Sequence, residues 1–191
     1  KDHKEFLVYS SETPDYSEKG RFNVNETHFY FPGKVENFLG YQKTALSMFL
    51  KHTEKALSHF RKEKTDKAIK QLGKALHYLQ DMGEPHHVST STVAEAMEKF
   101  NNHIEFETYA GERQDRVEFQ DKPILKMAKE EDFLRFVTVL ALQLAGSASS
   151  FEDKVTDDKK DEWNNDVKGC FNKTKQITES FLLAFFNQIN T

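Results

Sequence analysis

Apolar residues recur at helical spacing over most of the chain. From Val35 to Lys64, the positions Phe38, Tyr41, Ala45, Phe49, Ala56 and Phe60 alternate with Lys, Glu and Arg, as on an amphipathic helix. Thr65-Asp66 offers an N-cap. Ala68, Leu72, Ala75, Leu76 and Leu79 then carry the period to Met82, where Gly83-Glu84-Pro85 stops it. A further helix is predicted from about Thr92 to Glu112. Asp121-Lys122-Pro123 starts another, with Pro near its first turn, which runs through a Leu-rich stretch to Ala145. Gly146 to Ser150 is a break of small residues. The polar run Glu152 to Glu162 leads into a last amphipathic helix, with Val167, Phe171, Ile177, Phe181, Leu182, Phe185 and Phe186 as candidate core. Before all of these, Ser10 to Phe31 collects Pro14, Asp15, Gly20, Asn23 and Asn25, so an ordered loop is expected over about 10–34. No internal repeat and no strand pattern stands out. The expectation is an all-α, single-domain helical bundle over 1–191, its helices running from about 35 to 190.

Composition narrows this picture. A chain of 191 residues is long enough for one compact domain with a sizeable core. With 8 Gly and 4 Pro it is no linker, and its single Cys excludes an intrachain disulfide framework and a Cys-rich zinc ribbon. A net charge of −4 gives no global basic field for nucleic acid. The 17 Phe, against 1 Trp and 6 Tyr, point to helices anchored by Phe. The most apolar run, Phe133 to Ala148, contains Arg135 and Gln143 and is too short for a bilayer. Lys1-Asp2-His3-Lys4-Glu5 is charged and no signal-peptide core follows it.

Candidate chemistry lies in the histidines. His77 and Asp81 are four residues apart on one predicted helix face, where both can reach one metal ion. His86-His87 follows the Pro85 break and can fold back beside them. His103 and Glu107 repeat the four-residue spacing. Upstream, Asp15 and His28 fall in the predicted loop. Imidazole and carboxylate donors without thiolates suit zinc, with other borderline divalent ions also possible. One such pair alone is commonly a solvated polar face; the combination is less accidental. His77 sits beside Leu76 and Leu79, near the buried edge, where an unpaired imidazole would be costly.

These residues carry a resemblance. The run LGKALHYLQDMGEPHH, followed by HIEFETYAGER, resembles the signature of the bacterial zinc-dependent phospholipases C, the group of clostridial alpha-toxin. Upstream, ETPDY resembles that family's loop with a catalytic Asp, and ETHFYFP its His-Phe segment. The similarity runs from about Glu12 to Arg113. It implies one zinc site from Asp15, His28, His77 and Asp81, and a second from His87, His103 and Glu107. It further implies Asp15 as general base or water-orienting ligand, and Tyr16 as an aromatic facing a choline headgroup. The family's third zinc uses an N-terminal Trp, a nearby His and the Asp matching Asp81. This sequence begins with Lys1 and its one Trp is Trp163; His3 does not match in spacing.

The function so implied is hydrolysis of a phospholipid phosphodiester by zinc-activated water, in a secreted enzyme acting at a membrane surface, with no stable nucleic-acid partner. The alternatives are a single-strand-specific zinc nuclease of the same fold and an inactive or truncated metal-binding relative. The single Cys speaks against the nucleases, which typically carry several disulfides. Phe22, Phe29, Tyr30 and Phe31 read either as a lipid-facing rim or as core. His52 and His59 are expected to be surface or half-buried. His86 reads as a ligand's neighbour, Glu84 and Glu105 as solvated carboxylates, and Cys170 as a buried small hydrophobe. Asn25 and Asn172 open glycosylation sequons.

Overall fold

The computed structural model describes residues 3–17, 26–33, 43–88, 100–128, 132–155 and 163–189. Among them the regular structure is entirely helical. In chain order the helices are α1 (His3–Ser17), α2 (Ala45–Phe60), α3 (Thr65–Asp81), α4 (Phe100–Gly111), α5 (Phe133–Ser149), the single turn α6 (Glu152–Val155) and α7 (Trp163–Ile189). Short 3-10 turns cover Glu26–His28, Pro85–Val88 and Gln114–Arg116. The all-α expectation agrees with this architecture.

Helix α3 is the central element. Helices α1 and α2 both pack on it, and α5 packs on α7. Phe49, Leu72, Leu79, Leu140, Leu144, Ile177, Phe181 and Phe185 form the main core, each at most 1% exposed. Full burial of one such side chain is worth about 1.5–3 kcal/mol, so this face fixes where the polar end of α3 must lie. Phe106, Val155, Trp163 and Val167 make a second, smaller core under α4. Of the residues proposed for the last helix, Val167, Ile177, Phe181 and Phe185 are buried, whereas Phe186 is 42% exposed.

The structure corrects the sequence reading in several places. Ser10 to Ser17, expected as loop, is the second half of α1. Pro14 lies inside that helix and has no N–H to give the Ser10 carbonyl. The Thr13 hydroxyl donates to that carbonyl instead, at 2.9 Å. The expected helix from Val35 is interrupted at Thr44, which forms a capping box with Ser47 and starts α2 at Ala45; Phe38 and Tyr41 lie outside the described residues. The helix expected from Asp121 does not form either. Residues 117–128 run without helix along α7, held by its side chains. The Gln120 N–H donates to Asn172 Oδ1 (2.6 Å), the Leu125 N–H to Ser180 Oγ (2.9 Å), and Gln176 Nε2 to the Pro123 carbonyl (2.9 Å). Helix α5 starts later, where Asp132 accepts from the Arg135 N–H at 2.8 Å. It continues through Gly146 to Ser149, because Ala145 and Ala148 on its inner face are buried. The Asn172 sequon is buried with its amide engaged, so it offers no glycan acceptor.

The α1–α3 contact depends on Gly73. A Cβ there would meet Ser10 Cβ at 2.5 Å and the Leu7 carbonyl at 2.9 Å. Both neighbours are set by backbone position and cannot simply rotate away. Gly73→Ala should therefore push α1 off α3 and destabilise the chain by about 1–3 kcal/mol. Thermal unfolding reads this directly, and an unchanged melting temperature would show that the two helices do not meet this closely.

Candidate metal centre

The centre forms where α1, α3, α4 and two 3-10 turns converge. Asp15 lies in the last turn of α1, and His28 ends the Glu26–His28 turn. His77 and Asp81 occupy the last turns of α3, one above the other. His87 is in the Pro85–Val88 turn, and His103 and Glu107 are on α4. One backbone bond joins the two turn segments, the Tyr30 N–H donating to the His87 carbonyl at 2.8 Å, and another ties the upstream segment to α2, the Ala45 N–H donating to the Phe29 carbonyl at 3.0 Å. Tyr78, fully buried on α3, holds its hydroxyl 3.4 Å from Thr27 Oγ1, beside His28.

The structure brings the predicted ligands into two adjoining groups. In one, His77 Nε2 stands 2.9 Å from His28 Nδ1, and Asp15 Oδ1 lies 3.6 and 3.8 Å from these two nitrogens. Asp81 Oδ2 is 2.9 Å from His28 Nδ1 and 3.3 Å from His77 Nε2. In the other, His87 Nε2 and His103 Nε2 are 3.1 Å apart, and Glu107 Oε1 is 3.6 and 3.0 Å from them. Asp81 spans the gap, its Oδ1 being 3.4 Å from His87 Nδ1. Exposure is graded: His28 is buried, whereas the side chains of Asp15 and Glu107 are each 48% exposed. The backbone of Tyr16 follows Asp15 on α1; its side chain lies outside the described residues.

This arrangement fits a divalent ion better than mutual hydrogen bonding. The paired rings are nearly perpendicular, at 87° for His28 and His77 and 83° for His87 and His103. Two nitrogens about 2.05 Å from a tetrahedral zinc lie about 3.3 Å from each other, close to both observed separations. Among the described residues, Asp81 Oδ2, which faces the His28 and His77 nitrogens of the first group, is buried without a hydrogen-bond partner. Buried polar atoms are rarely left so.

The charges follow the geometry. Burial opposes ionisation of Asp81, but His28 and His87 beside it outweigh that and hold its carboxyl far below the usual range. Burial also opposes a proton on His87, yet Asp81, Glu84 and Glu107 raise its pKa to about 9. His77 goes the other way: burial dominates and lowers it. For Glu107, burial is outweighed by His103 and His87, which lower its pKa.

Two sequence expectations, for Glu84 and His52, change around the centre. Glu84, read as a solvated carboxylate, is largely buried, its side chain 16% exposed. Its Oε1 accepts from His86 Nδ1 at 2.8 Å, and its Oε2 accepts from the His87 N–H at 2.7 Å. The available signal was its place in the turn, midway between Asp81 and His87. His86 is a buried residue whose ring stacks on His103 at 5.3 Å and 22°. His52 is buried rather than superficial; its Nδ1 is 2.7 Å from Gln71 Oε1 and its ring stacks on Tyr78. Glu105 is exposed as expected. Cys170 is half-buried, and burial, with Glu84 and Asp166, pushes its thiol up to about 12. Phe29 packs on His87 with ring centroids 5.0 Å apart, and Tyr30 belongs to the core.

No family model matches the chain. Among curated proteins, a phospholipase C of Clostridium perfringens is 28% identical over 125 residues, 61% of this chain and 30% of that protein. A phospholipase C of Clostridium novyi is 29% identical over 112 residues, 54% of this chain and 27% of that protein. Among solved structures, the alpha-toxin of Clostridium absonum superposes with a TM-score of 0.85 at 20% identity, covering 99% of this chain and 55% of that one. Clostridium perfringens alpha-toxin from an avian strain gives 0.82 at 23% identity, covering 98% and 54%. The chain thus spans less than a third of the curated relatives and about half of the solved chains. In sequence and in fold, it resembles the catalytic domain of the clostridial alpha-toxin phospholipases C.

Proposed function

We propose that this chain is a zinc-dependent phospholipase C domain that hydrolyses the phosphodiester of a phospholipid at a membrane surface, in a secreted protein. The observation that carries this reading is the convergence of Asp15, His28, His77 and Asp81 with His87, His103 and Glu107 around one shared carboxylate. The clostridial relatives named phospholipase C supply the substrate class. Among the described residues no helix is long and apolar enough to cross a membrane, which accords with a lipid met at the surface.

Each residue then has a physical task. His28, His77 and Asp81 hold one zinc ion, with Asp15 as its solvent-facing fourth donor; His87, His103 and Glu107 hold a second. When bound, the ions supply a water of lowered pKa and positive charge for the phosphoryl oxygens. Asp15 is partly open to solvent, so its carboxylate can orient that water and accept its proton. Asp81 stays ionised and neutralises the imidazole cluster from within. Tyr16 is the candidate for the choline contact. The single Cys and the net negative charge disfavour the nuclease reading.

Metal analysis of the full chain should find two zinc ions, and the zinc-loaded chain should release phosphorylated headgroup from phosphatidylcholine vesicles. Chelation should abolish that activity and zinc restore it. Cleavage of single-stranded DNA with vesicles left intact would overturn the assignment. Asp15→Asn should lower kcat by about a hundredfold or more while the melting temperature holds; a variant with full activity would remove Asp15 from the chemistry.

Zinc binding should also displace a proton. In the metal-free chain, His87 is protonated up to about pH 9, and a ligating imidazole must be neutral. Calorimetry at pH 7.5 in buffers of different ionisation enthalpy should therefore show proton release. The same raised pKa stabilises the metal-free fold fully below pH 6.5, and that contribution fades as pH rises through about 9. Buffer-independent binding heats would show that zinc does not displace a proton from His87.

A further inference from the structure

The two ligand groups are unequal as described so far. The first holds two imidazoles and two carboxylates, Asp15 and Asp81. The second holds two imidazoles and only Glu107, sharing Asp81 at a distance. A buried divalent ion is best accommodated when its donors neutralise it. Glu84 supplies the missing charge: donor atoms of Glu84, His87 and His103 all lie within 4.8 Å of one another, and its Oε2 is 4.0 Å from His87 Nε2.

We infer that Glu84 is a fourth protein ligand of the second metal position, closing it with His87, His103 and Glu107. This rests on the zinc reading above. The carboxylate is held in place on both sides, by the His86 imidazole and by the His87 N–H. Each carboxylate oxygen keeps a lone pair after accepting one hydrogen bond, so both contacts are compatible with ligation. The turn that carries Glu84 has little room to move. Pro85 follows it, and a Cβ at Gly83 would run into Thr174 Oγ1. With Glu84 added, each position has two imidazoles and two carboxylates. Each position also keeps one carboxylate that is half-exposed, Asp15 in the first and Glu107 in the second.

The test is chelator competition on the full chain, wild type against Glu84→Gln, with the zinc-loaded wild type crystallised and its ions located at the zinc absorption edge. The wild type should retain two zinc ions. Glu84→Gln should weaken one of them by tenfold or more and leave the other unchanged. The crystal should place a Glu84 oxygen about 2.0–2.2 Å from the second ion. Equal affinities in both proteins overturn the inference and leave the zinc reading intact. So does a crystal in which Glu84 bonds only His86 and the His87 amide, even if affinity falls, because Glu84 is then a positioning residue. A wild type that binds no zinc overturns both readings.

Discussion

A carboxylate cannot be buried ionised without partners, and Asp81 is buried where α3 ends. Its partners come from three separate stretches of chain: His77 on the same helix, His28 from an upstream turn and His87 from the turn that follows. Satisfying this one charge brings the Glu26–His28 turn onto α3 and folds the Pro85–Val88 turn back over it. The bond from the Tyr30 N–H to the His87 carbonyl, and the Thr27–Tyr78 contact, brace the same two turns. The polar centre and the apolar core are therefore two ends of one helix. Leu72 and Leu79 fix its inner face among the Phe side chains, and His77 and Asp81 then emerge together on the other side.

Bringing Asp15 to this point requires a helix that approaches α3 unusually closely. Gly73 permits the approach, and the Thr13 hydroxyl lets the backbone pass Pro14 without leaving a buried carbonyl unpaired. Neither residue touches the centre. Both act on where a carboxylate several residues away comes to rest, so the geometry of the candidate centre is partly a property of ordinary helix packing.

The helical architecture and the spacing of the candidate ligand pairs were legible because their signals are local. His77 with Asp81, and His103 with Glu107, follow from a spacing of four on a helix. The convergence of these pairs with Asp15 and His28 followed only from the family resemblance, since no spacing encodes contacts between distant segments. Helix α1 was hidden because Pro14 and Asp15 read as turn residues, and the compensating bond comes from a Thr hydroxyl. The stretch from Asp121 reads as helical because the partners that hold it without helix, Gln176 and Ser180, lie some fifty positions away. Glu84 escaped notice because a Glu beside Gly and Pro is ordinarily a solvated turn residue. Its role depends on His86 and the His87 amide, which only the folded turn aligns.

The graded exposure of the centre has an electrostatic consequence. The groups nearest water, Asp15 and Glu107, are both carboxylates, and the imidazoles lie behind them. On the proposed reading, an anionic phosphodiester approaching the metal-free centre would meet negative charge at its lip. With two divalent ions in place the same lip is neutralised and the field beneath it favours an anion. On that reading, metal loading would govern the approach of an anionic ligand as well as any reaction at the centre.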